Sequence, residues 1–439
     1  DRPGMDSQET DSYGIKITKN FDNIDIQSFT SITKTDVIFS YDADWGNSES
    51  HFPYTYDYFS KTLRNRDTFS QEVRFLSKNK DLTEQDKLQW IFGIDISELE
   101  EKNITRDDGV YGDPSDQYSP YVSQSVVSRN YEAENLSLFG NIDYFLSENH
   151  KLAFGLRWEN WDSKYNDSNQ ESFNPSDNMN GGKISLIKNN DNSNIYFSIA
   201  RGYKQGGFNL GLDATDNSIK NSLIYDPEFL TNYEIGLSSN NNDSILNYSA
   251  VFFFSKREDQ QVLISRQVDP TDPNTFSYLT QNAAEGENYG IEVSSEYFIR
   301  GNLNLFFNFG LLKTKIKNWE SRIDLENRAQ AHAPERTYSF GTNLDINNNL
   351  YLKIDVNGKS SFYYSDSHDN KSKSYQLVNL TLGYSKANFV TDVWIRNLFD
   401  EYYSTRGFYF GNEAPNFIDT LYRRQGDPKN IGISIRYDF

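Results

Sequence analysis

The C-terminal residues carry the strongest constraint on this chain. Ile431, Ile433, Ile435, Tyr437 and Phe439 alternate with Gly432, Ser434, Arg436 and Asp438. Side chains of a β-strand point to opposite faces in turn, so one face here is apolar and the other polar and charged. The first suits lipid and the second a wet interior. The pattern recurs. Leu152, Phe154, Leu156 and Trp158 alternate with Ala153, Gly155, Arg157 and Glu159, and Leu350, Leu352, Ile354 and Val356 with Tyr351, Lys353, Asp355 and Asn357. Leu303, Leu305, Phe307, Phe309 and Leu311 mark another such face, as do Tyr338, Phe340, Thr342, Leu344 and Ile346. A helix would set its apolar residues three and four apart, and these stretches do not.

Hydropathy alone points elsewhere. The mean value is -0.75, and no run approaches the roughly 20 apolar residues of a spanning helix. A length of 439 residues would suit two or three soluble domains. A barrel strand shows lipid only every second residue, however, so its mean hydropathy is diluted by the lumen side. The 31 Phe and 30 Tyr fit that reading better than an acidic soluble protein. A net charge of -20 argues against nucleic acid as a partner. Absence of Cys removes thiolate zinc sites, disulfides and Cys nucleophiles, and is compatible with an oxidising periplasm. The start, Asp1-Arg2-Pro3-Gly4, has no initiator Met and no signal peptide, so a further N-terminal part is expected.

Connections alternate in length. Short polar turns are expected at 147–150, 188–194, 239–244, 299–302, 346–349 and 385–388. Long irregular stretches are expected at 45–63, 106–127, 162–178, 209–227, 266–285, 317–335 and 404–427. Short turns on one side and long loops on the other are the outer-membrane signature, with the short turns periplasmic. The expected fold is all-β, a transmembrane antiparallel β-barrel occupying residues 1–439, with about seventeen strands beginning near Tyr13 to Phe21. Complete bacterial barrels have even strand numbers, so at least one partner strand is expected before Asp1. Soluble β-sandwiches and propellers also alternate, but with shorter strands and without this asymmetry of loops.

An ordered series of motifs runs along the chain. Phe69-Ser70-Gln71-Glu72-Val73-Arg74-Phe75 precedes Leu88-Gln89-Trp90-Ile91-Phe92-Gly93. Next come Leu138-Phe139-Gly140-Asn141-Ile142-Asp143-Tyr144, then Arg201-Gly202-Tyr203-Lys204-Gln205-Gly206-Gly207-Phe208-Asn209, Asp226-Pro227-Glu228 and Asn282-Ala283-Ala284. Ala333-Pro334-Glu335-Arg336, Arg396-Asn397-Leu398-Phe399-Asp400 and Gly426-Asp427-Pro428 follow, before the terminal Phe439. In this order they resemble the TonB-dependent outer-membrane receptors. That resemblance implies a barrel of about 22 strands whose lumen holds an N-terminal plug, so roughly five strands and the plug would lie outside this chain. It also implies TonB, the inner-membrane energising partner, acting through an N-terminal segment not present here. Tyr437 and Phe439 look like the family's signal to the outer-membrane barrel assembly machinery.

Ligand candidates are aromatic and basic. Tyr111, Tyr118, Tyr121, Phe362, Tyr363, Phe408 and Tyr409 fall in expected loops. Such rings would grip a large, partly apolar chelate by stacking and area burial. The interfacial girdle collects the same residue types, and both readings stand. Alternation from Ile195, Phe197 and Ile199 sends Lys204 inward and Tyr203 outward. Lys204 would then meet an anionic ligand or the plug; alternatively Gly202, Gly206 and Gly207 bend the chain at the rim and Tyr203 joins the girdle. His51, His332 and His368 fall in outer loops, yet no haem-receptor motif surrounds His332. No metal set, cofactor motif, phosphate loop or nucleophile–base arrangement is found, so no enzyme is expected. Neighbours such as Glu258 and Asp259 point to opposite faces and cannot flank one bond.

The resemblance therefore implies an active importer in the bacterial outer membrane, carrying a scarce, bulky nutrient. A ferric siderophore is the commonest such ligand; cobalamin, haem and oligosaccharide importers share the wall. A passive porin has the same architecture without a plug, and an outer-membrane hydrolase or adhesin is the reading from another class.

Overall fold

Alternation carries through to a wall of paired strands. The protein is seen in a computed structural model, which describes the chain apart from residues 1, 45, 47–48, 79–86, 211–222, 240–244, 268–275, 300, 367, 411–417 and 419. The expected turn at 239–244 and parts of the stretches at 209–227, 266–285 and 404–427 lie outside the described residues. In chain order the strands are β1 (Met5–Asn20), β2 (Ile24–Asp42), β3 (Thr55–Ser77), β4 (Leu88–Gly112), β5 (Tyr121–Ser147), β6 (His150–Asp167) and the two-residue β7 (Ser172–Phe173). Then come β8 (Ser176–Asn189), β9 (Ser193–Lys204), β10 (Gly207–Phe208), β11 (Ile224–Tyr225), β12 (Glu228–Ser239), β13 (Leu246–Gln267) and β14 (Phe276–Ile299). The series ends with β15 (Leu303–Lys317), β16 (Arg336–Asp345), β17 (Leu350–Lys359), β18 (Tyr375–Lys386), β19 (Phe389–Arg396), β20 (Ser404–Phe410), β21 (Thr420–Gln425) and β22 (Asn430–Tyr437).

One antiparallel meander holds 18 strands; setting aside β7 leaves seventeen long ones, as the alternation implied. β10 with β11, and β20 with β21, form separate hairpins. The first strand begins at Met5, earlier than expected, because the polar residues Asp6 to Ser12 pair fully with Thr33 to Phe39. Among the described residues β1 pairs only with β2, and β22 only with β19.

The two faces behave as the sequence implies. Outward positions are apolar and bare, among them Phe252 (53%), Phe307 (43%) and Ile433 (64%). Inward positions satisfy one another. Arg157 donates to Glu159 at 3.0 Å and to the Ser137 hydroxyl at 2.6 Å, and lies 3.8 Å from Asp95. Lys151 donates to Asp143 at 2.9 Å, and the Tyr351 hydroxyl to Asp392 at 2.5 Å. Gly432 is a glycine for a packing reason: a Cβ there would lie 2.2 Å from the Trp394 ring, whose Nε1 donates to Ser434 Oγ at 3.1 Å.

Two expected long loops, 106–127 and 162–178, are mostly strand, and the later part of 45–63 is strand too. β3, β4 and β5 run for 23, 25 and 27 residues; β3 takes in 55–63, β4 and β5 together cover most of 106–127, and β6 runs on to Asp167. A spanning strand needs about 9–11 residues, so more than ten residues of each project beyond the bilayer. There both faces meet water, and polar pairs replace the apolar stripe. Thr62 and Thr105 share a hydrogen bond of 3.2 Å, Arg66 Nε donates to Glu101 at 2.8 Å, and Arg129 donates to Thr105 at 2.8 Å. Likewise β14 starts at Phe276, inside 266–285, and β20 and β21 occupy much of 404–427.

Adjacent positions on β15 give a direct check. In the receptor that carries this chain, Phe307→Arg places a charge in lipid and is expected to cost about 2–4 kcal/mol, whereas the lumen-facing Asn308→Arg costs about 1 kcal/mol or less. Denaturant titration of folding into vesicles measures both, and equal costs would mean the faces are misassigned.

Candidate functional site

The lumen face of β5, β6 and β8 changes character toward the long-loop end. Trp161 (1% exposed), Met179 (0%) and Ala133 form a buried cluster, with Tyr131 and Tyr203 packed against it. Above them the β10–β11 hairpin folds back over the wall. Phe208 stacks on Phe173 with centroids 5.1 Å apart, and lies 4.9 Å from Tyr165 and 6.0 Å from Tyr131. Between hairpin and wall is a cavity of about 350 Å³, lined by Arg129, Tyr131, Trp161, Tyr165, Phe208 and Tyr225 among others.

Three amides hold the hairpin in place. Asn209 Nδ2 donates to the Thr280 carbonyl at 2.8 Å, and the Thr280 N–H donates back to Asn209 Oδ1 at 2.7 Å. The Asp226 N–H donates to Asn282 Oδ1 at 2.6 Å, while Asn282 Nδ2 reaches the carbonyls of Asp226 and Asp259 at 2.8 and 2.9 Å. Gln261 Nε2 donates to the carbonyls of Gln205 and Asp226 at 2.8 and 3.1 Å. Each side-chain amide thus replaces a strand neighbour for backbone groups that have left the ladder. Gly206 must lack a side chain: a Cβ would lie 2.5 Å from the Tyr225 carbonyl and 2.7 Å from the Asp177 carboxylate.

Electrostatics favour hydrogen-bond donors in the cavity. Burial holds the Tyr131 and Tyr225 phenols above their ordinary range. Burial, and then the Asp167 carboxylate that accepts the Tyr165 hydroxyl at 3.1 Å, do the same for Tyr165. All three stay protonated at physiological pH. Burial also raises Asp177, which accepts the Gly206 N–H at 3.1 Å. Glu101 is offset by Arg66 and Arg64, at 2.5 and 3.3 Å, whereas Arg129 makes no ion pair among the described residues. Aromatic faces, phenol donors and a guanidinium suit a bulky ligand carrying rings and acceptor oxygens.

The residues singled out from sequence fall into separate places. Tyr111 and Tyr121 are strand residues, paired in register across β4 and β5. Tyr111 stands edge-on to Tyr56 at 6.2 Å, and Tyr56 lies 5.1 Å from the buried His51. Tyr121 donates to Asp116 at 2.5 Å, and Tyr118 is exposed on the adjoining turn. Phe362, Tyr363 and Tyr409 belong to a second cluster, the core of the outer loops. Phe362 is buried (7%) beside His332, and Tyr363 is held between Arg328 at 3.9 Å and Lys371 at 4.0 Å. Tyr409 stands edge-on to His368 at 5.0 Å and accepts from Asn370 at 2.9 Å. Burial and the nearby Arg328 lower the His368 imidazole below its ordinary 6.5. Phe408 stacks on Tyr422 within the β20–β21 hairpin. Lys204 is exposed at the end of β9, opposite Glu228. Tyr437 lies outward opposite Phe389, with the Phe439 ring 5.1 Å away.

Tyr203 is a correction. Expected outward, it turns to the lumen and donates to Glu159 Oε2 at 2.9 Å. Pairing of β9 with β8 ends at Arg201, the following Gly202 has open space where a Cβ would be, and Gly181 leaves room for the ring. The cavity itself was missed from sequence. Tyr165 lay in the expected loop at 162–178 and Trp161 and Met179 just outside its ends, whereas Phe208, Asn209 and Asn282 stood inside the motifs and were the available signal.

A family model described as TonB dependent receptor-like, beta-barrel matches residues 1–398. The chain belongs to the TonB-dependent receptor β-barrel family. Its place is the outer membrane, with the large meander as barrel wall. The pesticin receptor of Yersinia enterocolitica is 22% identical over 423 residues, 93% of this chain and 57% of that protein; the pesticin receptor of Yersinia pestis matches to the same extent. This chain therefore spans a little over half the length of these relatives. Among solved structures, the ferric yersiniabactin uptake receptor FyuA from Yersinia pestis superposes with a TM-score of 0.75 at 19% identity, covering 98% of this chain and 61% of that one. The copper transporter OprC gives 0.71 at 15% identity, with coverage of 100% and 67%. The siderophore receptor PiuA from Acinetobacter baumannii gives 0.70 at 18%, with coverage of 98% and 64%. These likenesses establish the shared wall.

The amide clamp is testable by itself. Replacing Asn209 with Ala removes a reciprocal pair of bonds and strands the Thr280 N–H, a loss of about 1–3 kcal/mol held locally. Hydrogen exchange is expected to speed at Thr280 and in the hairpin while the wall stays protected; unchanged exchange at Thr280 would dismiss the clamp.

Proposed function

We propose that this chain is most of the wall of a TonB-dependent importer whose ligand is a ferric siderophore. The supporting observation is the aromatic cavity under the β10–β11 hairpin, facing the lumen near the loop end of the wall. The names of the relatives, a pesticin receptor and a ferric yersiniabactin uptake receptor, point to the same ligand class. Ligand rings would stack on Tyr131, Tyr165 and Phe208, and chelating oxygens would face Arg129 and the protonated phenols. The clustered Tyr111 and Tyr121 at the strand tips, and Tyr363 and Tyr409 in the outer loops, would make first contact. Capture precedes transport. A plug and about five further strands, set between β22 and β1, would complete the barrel. TonB would act on the plug, opening a path along the polar wall. An inner concavity of about 650 Å³, lined by Glu292, Asn308, Asn357, Lys359, Tyr375 and Tyr403 among others, offers the plug a polar seat.

Uptake of radioactive iron from a panel of siderophores, in cells relying on this receptor, tests the reading. Uptake is expected for one siderophore class and only with TonB present. Tyr165→Ala should weaken binding about tenfold, equivalent to about 1.4 kcal/mol. Uptake independent of TonB, or no iron uptake from any chelate, would reject it.

A further inference from the structure

The lipid face carries a groove across β4 to β9, with a cation at its rim. Phe92, Gly140, Leu156, Gly182, Arg201 and Thr231 lie in register across β4, β5, β6, β8, β9 and β12. All point outward by alternation, so two of the six positions present no side chain to lipid. The result is a depression of about 740 Å³, walled by Leu138, Phe154, Leu156, Ile184 and Ile199. At its upper end stands Arg201. The outward run on β9 reads Ile195, Phe197, Ile199 and then Arg201, so the guanidinium sits where the apolar band ends on the long-loop side. It is exposed, rests 4.3 Å over the Phe229 ring, and forms no ion pair among the described residues.

We propose that this groove binds a phosphorylated lipid of the outer leaflet, with an acyl chain in the depression and a lipid phosphate on Arg201. An unpaired cation at the level of the headgroups meets phosphate. A gap in a lipid-facing wall is filled by a chain, because an empty apolar cleft forfeits dispersion contacts on one side. The Phe229 ring, 4.3 Å away, gives the guanidinium a cation–π seat at the rim of the groove. Nothing in this proposal depends on the imported ligand.

Native mass spectrometry of the whole receptor in a neutral detergent tests it, with lipid A and its dephosphorylated form as probes. Wild-type protein is expected to retain lipid A over the dephosphorylated lipid. Arg201→Gln should lower lipid A retention about tenfold and leave the dephosphorylated lipid unaffected, with Arg201→Lys keeping most of the effect. Ile184→Trp, which fills the groove from a position already facing lipid, should lower retention of both. Heat-modifiable gel migration confirms that each variant is folded. Equal retention of both lipids by wild type and Arg201→Gln would overturn the proposal, as would loss in Ile184→Trp with no effect of Arg201→Gln.

Discussion

In hydrocarbon every backbone N–H and C=O must find its partner inside the protein, and the rest of this architecture follows from that demand. A meander of seventeen long strands meets it by pairing each strand with the next in sequence. Local pairing also explains the short turns. β5 and β6 are separated by only Glu148 and Asn149, and β18 and β19 by Ala387 and Asn388. Side chains are then left free to divide labour, with lipid on one face and a charged, mutually satisfied lumen on the other.

Where the chain leaves the ladder, amide side chains take over. Asn209, Asn282 and Gln261 supply the bonds that neighbouring strands supply elsewhere, and so hold the β10–β11 hairpin over Trp161 and Tyr165. The outer loops solve the same problem differently. Arg328, almost fully buried, donates to the carbonyls of Ser365 and His368 at 2.8 and 2.7 Å and meets the Tyr363 ring. Irregular backbone is tolerated in both places because polar groups are satisfied one by one.

Legibility in the sequence tracked solvent. Inside the bilayer the two faces differ sharply, and Leu303 to Leu311 or Ile431 to Phe439 could be assigned from alternation alone. Beyond the bilayer both faces are wet. The outer ends of β3, β4 and β5, at 55–63, 106–112 and 121–127, then read as loop although they are paired strand. The site suffered for the same reason. Tyr165 and Trp161 carried no amphipathic signal, and only Phe208, Asn209 and Asn282 stood out, through the family's motifs. Tyr203 was misread because a glycine before it released the alternation.

The central claim is that one strand face meets lipid and the other the lumen. Native cysteine is absent from this chain, so single cysteines from Leu303 to Leu311 can carry spin labels in the receptor reconstituted in bilayers. Collision rates with oxygen, which partitions into lipid, are expected to peak at 303, 305, 307, 309 and 311. Rates with a water-soluble nickel chelate should peak at 304, 306, 308 and 310. Profiles without a two-residue period, or with the two reagents in phase, would contradict the account.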